Sequence, residues 1–308
     1  MRYKLSGILL VAVLSFVFVA IGPIGAVEFD WRGYPGGVNL PAGNYVTPVR
    51  DQGNAGTCWA FAAVGAVEAK YDITFKLTNS TLNLSEQHLV CDGSTGDIDG
   101  GWEDAALKFI RDHGIVDEAK LPYTAKNTSP KWPLQQPYTL YRITSVQTRV
   151  SCDPTVLKTF LQNNGPVAAA INSGKDFITP PHSLDDSTSA LVSAGDNEVP
   201  PGVQMDARLV PDAHGASLDH AVVITGFTDN ASVAGGGYWH IKNSWGSTWG
   251  PTHDGYGYVT YATMLVDNYV TGIPGVAYTQ TVPEPSAIIL LGTAAIGLLA
   301  LARRRRRS

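Results

Sequence analysis

The stretch Gln52-Gly53-Asn54-Ala55-Gly56-Thr57-Cys58-Trp59-Ala60-Phe61 carries a cysteine out of a glycine-containing loop and into a helix. From Trp59 to about Lys70 the chain is rich in alanine, lacks proline and holds a single glycine, which predicts a helix. Cys58 then falls in the first turn, where the positive end of the helix dipole favours an anion. A free thiol is mostly protonated at neutral pH and the thiolate is the nucleophile, so this setting matters. Far downstream, His220 opens an apolar strand (LDHAVVI, 218–224) and Asn243 closes another (WHIKNSWG, 239–246). Together these are the parts of a thiol acyl-transfer site. The Cys58 backbone N–H and the Gln52 side-chain amide are the candidate donors for an oxyanion.

A contact between His220 and Asn243 follows from spacing. Residues 221–227 read as a strand, 228–237 as a loop ending in three glycines, and 238–243 as a returning strand. Pairing Phe227 with Tyr238 in an antiparallel ladder sets Asn243 opposite Val222, two residues from His220. An amide oxygen there accepts from the imidazole and fixes its tautomer. Trp245 would cover that bond from water.

These residues resemble the papain-like cysteine peptidases. The likeness runs from Phe29-Asp30-Trp31-Arg32 to about Tyr258, through VTPVRDQG and CWAF, LSEQHLV (84–90), DGGW (99–102), Leu121-Pro122-Tyr123, Asn164-Gly165-Pro166-Val167, DHAV (219–222) and KNSWGSTWG. A lone Cys-Trp pair means little, whereas this ordered series is specific. The resemblance implies an α+β, two-lobed fold, with a helical left lobe and an antiparallel, barrel-like right lobe about an active-site cleft. It implies Cys58 as nucleophile, His220 as general base and acid, Asn243 as orienting residue and Gln52 as oxyanion donor. It further implies substrate contacts at Gly56, Gly100, Gly101, Trp102, Leu218, Asp219, Ala221 and Trp245. Trp102, Leu218 and Ala221 fall on positions that shape the pocket for the residue two before the scissile bond. Trp102 and Leu218 suggest an apolar occupant, and Asp219 and Glu103 a basic one.

The departures are informative. The family signature C-G-[SA]-C-[WY] reads Ala55-Gly56-Thr57-Cys58-Trp59 here. Ala55 replaces a cysteine that is normally bridged to a cysteine in a CNGG loop, and that loop is Ile98-Asp99-Gly100-Gly101. Both partners are lost together. His220 and Asn243 lie 162 and 185 residues after Cys58, against about 130–150 in the family. Much of the excess is a Ser-, Asp- and Pro-rich insertion over 174–218, a cleft-edge lid or an inert surface loop. Cys91 matches a family disulfide position, but its usual partner is missing after Tyr123. A rewired Cys91–Cys152 bond and two buried thiols are the alternatives.

Both ends read as processing segments. Arg2 and Lys4 precede an apolar run over 7–21, and Ala26 offers a small residue for cleavage, which predicts a signal peptide over 1–26. At the other end, Val282-Pro283-Glu284-Pro285-Ser286 leads into sixteen residues of largely apolar chain (287–302) and five arginines, Arg303 to Arg307. This resembles the PEP-CTERM sorting signal of Gram-negative bacteria, with 279–308 as the sorting segment and 27–278 as the peptidase domain. The implied partners are a signal peptidase, an exosortase-type enzyme and, transiently, the membrane. The implied location is the cell envelope, the cell surface or the medium. Few residues separate Ala26 from Asp30-Trp31-Arg32, so the usual inhibitory leader is not expected.

The formal charge is −5, but seven of the 22 basic residues lie in these ends. The body keeps 15 Lys and Arg against 26 or 27 acids, about −11 to −12 net, which argues against a nucleic-acid partner. His88, His113, His182, His214, His240 and His253 show no ligand spacing and read as surface or packing residues. Asp92, Asp97 and Asp99 with Gly100 lack the spacing of a calcium loop. No metal or cofactor is expected. The sequence therefore predicts an exported endopeptidase acting on peptides or proteins. An envelope transpeptidase on the same site, or a silent papain-fold binding protein, is the alternative.

Overall fold

The computed structural model describes residues 27–127, 134, 136–171, 173, 218–250, 252–262 and 269–282. The signal peptide, nearly all of the 174–218 insertion and the sorting segment beyond Val282 lie outside these residues, as do His182 and His214. Among the described residues no helix is long and apolar enough to cross a membrane.

In chain order the elements are β1 (Glu28–Asp30), α1 (Cys58–Phe75), α2 (Glu86–Asp92), β2 (Gly96–Asp97), β3 (Gly100–Gly101), α3 (Glu103–Asp112), β4 (Tyr138–Ile143), β5 (Gln147–Ser151), α4 (Pro154–Asn164), β6 (Val167–Ile171), β7 (His220–Asp229), β8 (Gly237–Lys242), β9 (Tyr256–Thr260), β10 (Tyr269–Gly272) and β11 (Ala277–Val282). The fold is α+β, as expected. Helices α1 to α3 form one layer, and an antiparallel sheet in the order β5-β10-β6-β7-β8-β9 forms the other. Among the described residues this sheet does not close into a barrel.

Helix α1 is apolar around almost its whole circumference and is buried from Cys58 to Lys70. Such a helix belongs inside a molecule rather than on its surface. One side of it meets α3 through Ala106, Leu107 and Ile110, and another meets the sheet through Ala221 and Val223. The opposite face of the same strand, through Val222, Ile224 and Phe227, packs with Leu157 and Leu161 of α4. Strand β7 is therefore buried on both faces. One of its edges is shared by β6 and β1, and the other is taken by β8.

The Asp30-Trp31-Arg32 segment fastens the N-terminus. Trp31 Nε1 donates to the Leu161 carbonyl at 3.0 Å. Asp30 accepts from Arg32 at 2.7 Å and from His240 Nδ1 at 2.8 Å. Burial would raise the Asp30 carboxyl, yet these hydrogen bonds hold it down at about 2. His240 is thus a strand residue engaged with Asp30 and Thr228. At the other end, β11 pairs with β4 as far as Val282↔Tyr138, so the ladder runs past the 278 boundary read from the sequence.

One expectation is corrected, and one of two open alternatives is decided. Phe227 pairs with Trp239, not Tyr238, and Thr228 pairs with Tyr238. The register then slips between Ile224 and Gly226, leaving Thr225 as an extra residue, and Ile224↔Ile241 and Val223↔Lys242 follow. Beyond this bulge the pairing is the one the sequence reading required near Asn243. The Cys91–Cys152 disulfide is not formed. Cys91 lies at the end of α2, where Gln87 Nε2 donates to its sulfur at 3.0 Å, whereas Cys152 is buried in the core between the sheet and α4. The two belong to different layers.

Candidate active site

Cys58 is the first residue of α1, reached through Thr57. The loop leading to it is held from two sides. Gly56 N–H donates to the Ile98 carbonyl at 2.7 Å, which ties together the two loops whose cysteines are missing. The Tyr123 hydroxyl donates to the Gln52 carbonyl at 2.9 Å and shares a 2.6 Å hydrogen bond with Thr57 Oγ1.

His220 opens β7 opposite Ile171 of β6. Its Nε2 lies 2.7 Å from Asn243 Oδ1. The same Oδ1 accepts from the Ser244 N–H at 2.8 Å, and the Asn243 N–H donates to the Gly255 carbonyl at 3.0 Å, so the amide is fixed before it meets the ring. With Nε2 donating, the neutral imidazole keeps its lone pair on Nδ1. The Trp245 ring lies over the imidazole, 4.5 Å between centroids and 34° from parallel. Burial pulls His220 down to about 4, with the Asn243 hydrogen bond opposing.

Gln52 is buried, and its amide is held at both ends. Its Oε1 accepts from Ser244 Oγ at 2.6 Å, and its Nε2 donates to the Ala55 carbonyl at 2.7 Å. One Nε2 hydrogen is used in that bond, which leaves the second for a ligand. The Gln52 N–H also donates to the Ser244 carbonyl at 2.8 Å, and Asp51 bridges Trp245, so the two loops are laced together.

Behind the site lies a buried polar clamp. Lys242, next to Asn243, donates to Thr47 Oγ1 at 2.9 Å, and Thr47 donates to Glu68 Oε2 on α1. Glu68 Oε1 accepts from the Leu84 N–H at 2.8 Å. Burial pushes Glu68 up and Lys242 down, and each charge opposes the shift of the other. Removing one member would strand the other, so the clamp holds the helix of Cys58 to the strand of Asn243.

A pocket brings many of the sequence-predicted residues together. Cys58, His220, Gly101, Trp102, Leu218, Asp219 and Ala221 all line it, with Trp59, Glu103 and Ala170. Gly100, Gly56, Trp245, Gln52 and Asn243 do not line this pocket; Asn243 instead borders a small cavity beside Glu68 and Lys242. Gly101 has a packing reason to be glycine, since a Cβ there would stand 2.5 Å from the Trp59 ring and 2.9 Å from the Thr95 carbonyl. Ser244 and Tyr123 were missed as supports of Gln52, although both lie in stretches the sequence had singled out. The clamp of Thr47, Glu68 and Lys242 gave no local signal. Among the described residues no group of three His, Cys, Asp or Glu side chains is placed to hold a metal ion.

Comparison with known proteins agrees with this geometry. Residues 26–184 and 202–271 match the family described as "Papain family cysteine protease", and residues 281–307 match the PEP-CTERM protein-sorting motif. A probable cysteine protease RD21C of Arabidopsis thaliana is 32% identical over 256 residues, covering 82% of this chain and 48% of the relative. Procathepsin L of Felis catus is 32% identical over 227 residues, covering 72% of this chain and 59% of the relative. The chain thus spans about half to three fifths of the length of these two curated relatives. Among solved structures, one from a study of antibody cross reactivity between the mite allergens Blo t 1 and Der p 1 is 26% identical, with a TM-score of 0.57 over 84% of this chain and 73% of the other. Bromelain from Ananas comosus in complex with the E64 inhibitor shares the fold at 22% identity and a TM-score of 0.57, covering 83% of this chain and 99% of the other.

Proposed function

The chain belongs to the papain family of cysteine proteases, and on that premise we propose that it is an exported endopeptidase that cleaves peptide bonds through a Cys58 thioester. The observation that carries this reading is the His220 Nε2···Asn243 Oδ1 hydrogen bond, on a histidine that lines one pocket with Cys58. His220 takes the thiol proton, and the Cys58 thiolate attacks the substrate carbonyl carbon. The C=O electron pair moves onto oxygen as the C–S bond forms. The Cys58 N–H and the Gln52 Nε2–H stabilise that oxyanion. The tetrahedral intermediate collapses, the C–N bond breaks, and His220 gives its proton to the departing amine. Water, deprotonated by His220, then cleaves the thioester.

Burial and charge together support the ion pair in this reading. Left alone, an imidazole drawn down to about 4 by burial would be neutral at pH 7. A thiolate beside it reverses that, because opposite charges favour one another most where water is excluded. The first turn of α1 adds a smaller stabilisation of the thiolate. The ends of the chain support export by a signal peptide and sorting at the PEP-CTERM segment, with 27–278 as the catalytic body and 279–308 as the sorting segment.

Turnover of labelled casein by residues 27–282 tests the reading. Cys58→Ala and His220→Ala should each lower the rate by several orders of magnitude while the fold, judged by circular dichroism, is retained. Hydrolysis that persists in both variants would remove the assignment.

A further inference from the structure

Tyr123, in the stretch Leu121-Pro122-Tyr123, joins the two ends of the loop that runs from Gln52 to Thr57. Its hydroxyl has one hydrogen, and the Gln52 carbonyl, 2.9 Å away, can only accept it. The Thr57 hydroxyl must therefore donate to the Tyr123 oxygen at 2.6 Å, which gives a directed chain from Thr57 through Tyr123 to Gln52. Thr57 is the N-cap of α1, where a threonine hydroxyl ordinarily accepts from an N–H of the first turn. Among the described residues it makes no such bond, and it is engaged with Tyr123 instead. The tyrosine is also held by contacts other than its hydroxyl. Its N–H donates to Glu118 Oε1 at 2.6 Å, and its ring meets the Phe61 ring of α1 edge-on, 5.0 Å between centroids. Burial pushes the hydroxyl up to about 12, with the Thr57 hydrogen bond opposing, so it stays protonated at neutral pH.

The two residues that this hydroxyl joins carry the two candidate oxyanion donors. Gln52 supplies its side-chain amide, and the Thr57–Cys58 peptide unit supplies the Cys58 N–H. Such donors act through being fixed in advance around the place where the charge will form. On its other side the Gln52 backbone is already tied, its N–H donating to the Ser244 carbonyl at 2.8 Å. We infer that Tyr123 is a positioning residue of the oxyanion hole, its one hydroxyl setting the Gln52 amide and the Cys58 N–H relative to each other. The inference rests on the reading of those two groups as the oxyanion donors.

The test compares a reaction that builds an oxyanion with one that does not. Hydrolysis of a fluorogenic peptide passes through the oxyanion, whereas alkylation of Cys58 by iodoacetamide needs only the thiolate. Tyr123→Phe keeps the ring against Phe61 and should lower kcat by about tenfold, with KM within about twofold of the parent. The pH profile of alkylation should stay within about twofold of the parent throughout. Thr57→Val removes the other hydroxyl and should reproduce both results, while Thr57→Ser should retain most of the activity. The double variant Tyr123→Phe, Thr57→Val should lose little more than either single one, since both break the same chain. An unchanged kcat in either single variant, or alkylation that falls in step with kcat, overturns the inference. Gln52→Ala on the same peptide tests the premise separately. An unchanged kcat there removes the oxyanion reading itself, and a loss there with none in Tyr123→Phe removes only the role of Tyr123.

Discussion

Replacing Asn243 separates the ion-pair account from a purely structural role for that residue. Asn243 Oδ1 lies 2.7 Å from the donor nitrogen of His220, inside a site from which water is excluded. A hydrogen bond to a charged group contributes about 1.5–3 kcal/mol. Since one pKa unit corresponds to about 1.36 kcal/mol, Asn243→Ala should weaken proton binding by His220 by about 1–2 units. The sign follows from the charge. The hydrogen bond favours the imidazolium, so its loss makes the ring give up its proton at lower pH, in the direction that burial already pushes it. The assay is the pH profile of kcat/KM on a fluorogenic peptide. Its alkaline limb, where the His220 imidazolium is lost, should move down by about 1–2 pH units, and the plateau should fall by about tenfold to a hundredfold. Asn243→Asp places an anion at the same point and should move that limb upwards. An alkaline limb that stays put in both variants would refute the reasoning, even if the rate fell.

Three further outcomes are expected. Gln52→Ala should lower kcat by about 10²–10³ with little change in KM, and Ser244→Ala, which removes only the hydroxyl that orients Gln52, should cost about tenfold; steady-state kinetics on one peptide compare the two. Gly101→Ala should destabilise the fold by about 1–3 kcal/mol in urea unfolding, because its Cβ would meet the Trp59 ring at 2.5 Å. Asp72 is fully buried, and burial raises its carboxyl to about 7. The folded state therefore holds this proton more tightly than the unfolded chain does, so its contribution is complete below the unfolded pKa of about 3.9 and is lost as pH rises through about 7. Asp72→Asn should accordingly raise Tm relative to the parent by more at pH 8 than at pH 4.5, and an equal difference at the two pH values would contradict that assignment.

The parts of the fold visible in the sequence are those with local punctuation. Helix α1 begins at Cys58, after the glycine-containing loop, and α3 spans Glu103–Asp112 with Gly114 close behind. Strand β6 is the apolar run Val167–Ile171, entered through Gly165-Pro166. The register of β7 on β8 was not legible in the same way. Residues 220–228 are buried on both faces, between α1 and α4, so no alternation of polar and apolar residues marks the faces. Nothing in AVVITGF announces the extra residue at Thr225. The His220–Asn243 contact was read correctly because the misplaced hairpin end and the unseen bulge differ by one residue in compensating directions. The clamp of Thr47, Glu68 and Lys242 joins residues up to 195 apart in sequence and shows only in three dimensions. The paired loss of cysteines at Ala55 and Ile98 was legible, but the Gly56–Ile98 backbone hydrogen bond that spans the gap was not.

The most direct test of the central claim is to label the protein with one equivalent of E-64 and map the adduct by peptide mass spectrometry while following peptide hydrolysis. The account predicts one adduct per molecule, on Cys58 alone, with activity falling in proportion to labelling and no adduct in Cys58→Ala. Labelling of Cys91 or Cys152 in place of Cys58, or full activity in a fully labelled protein, would contradict it.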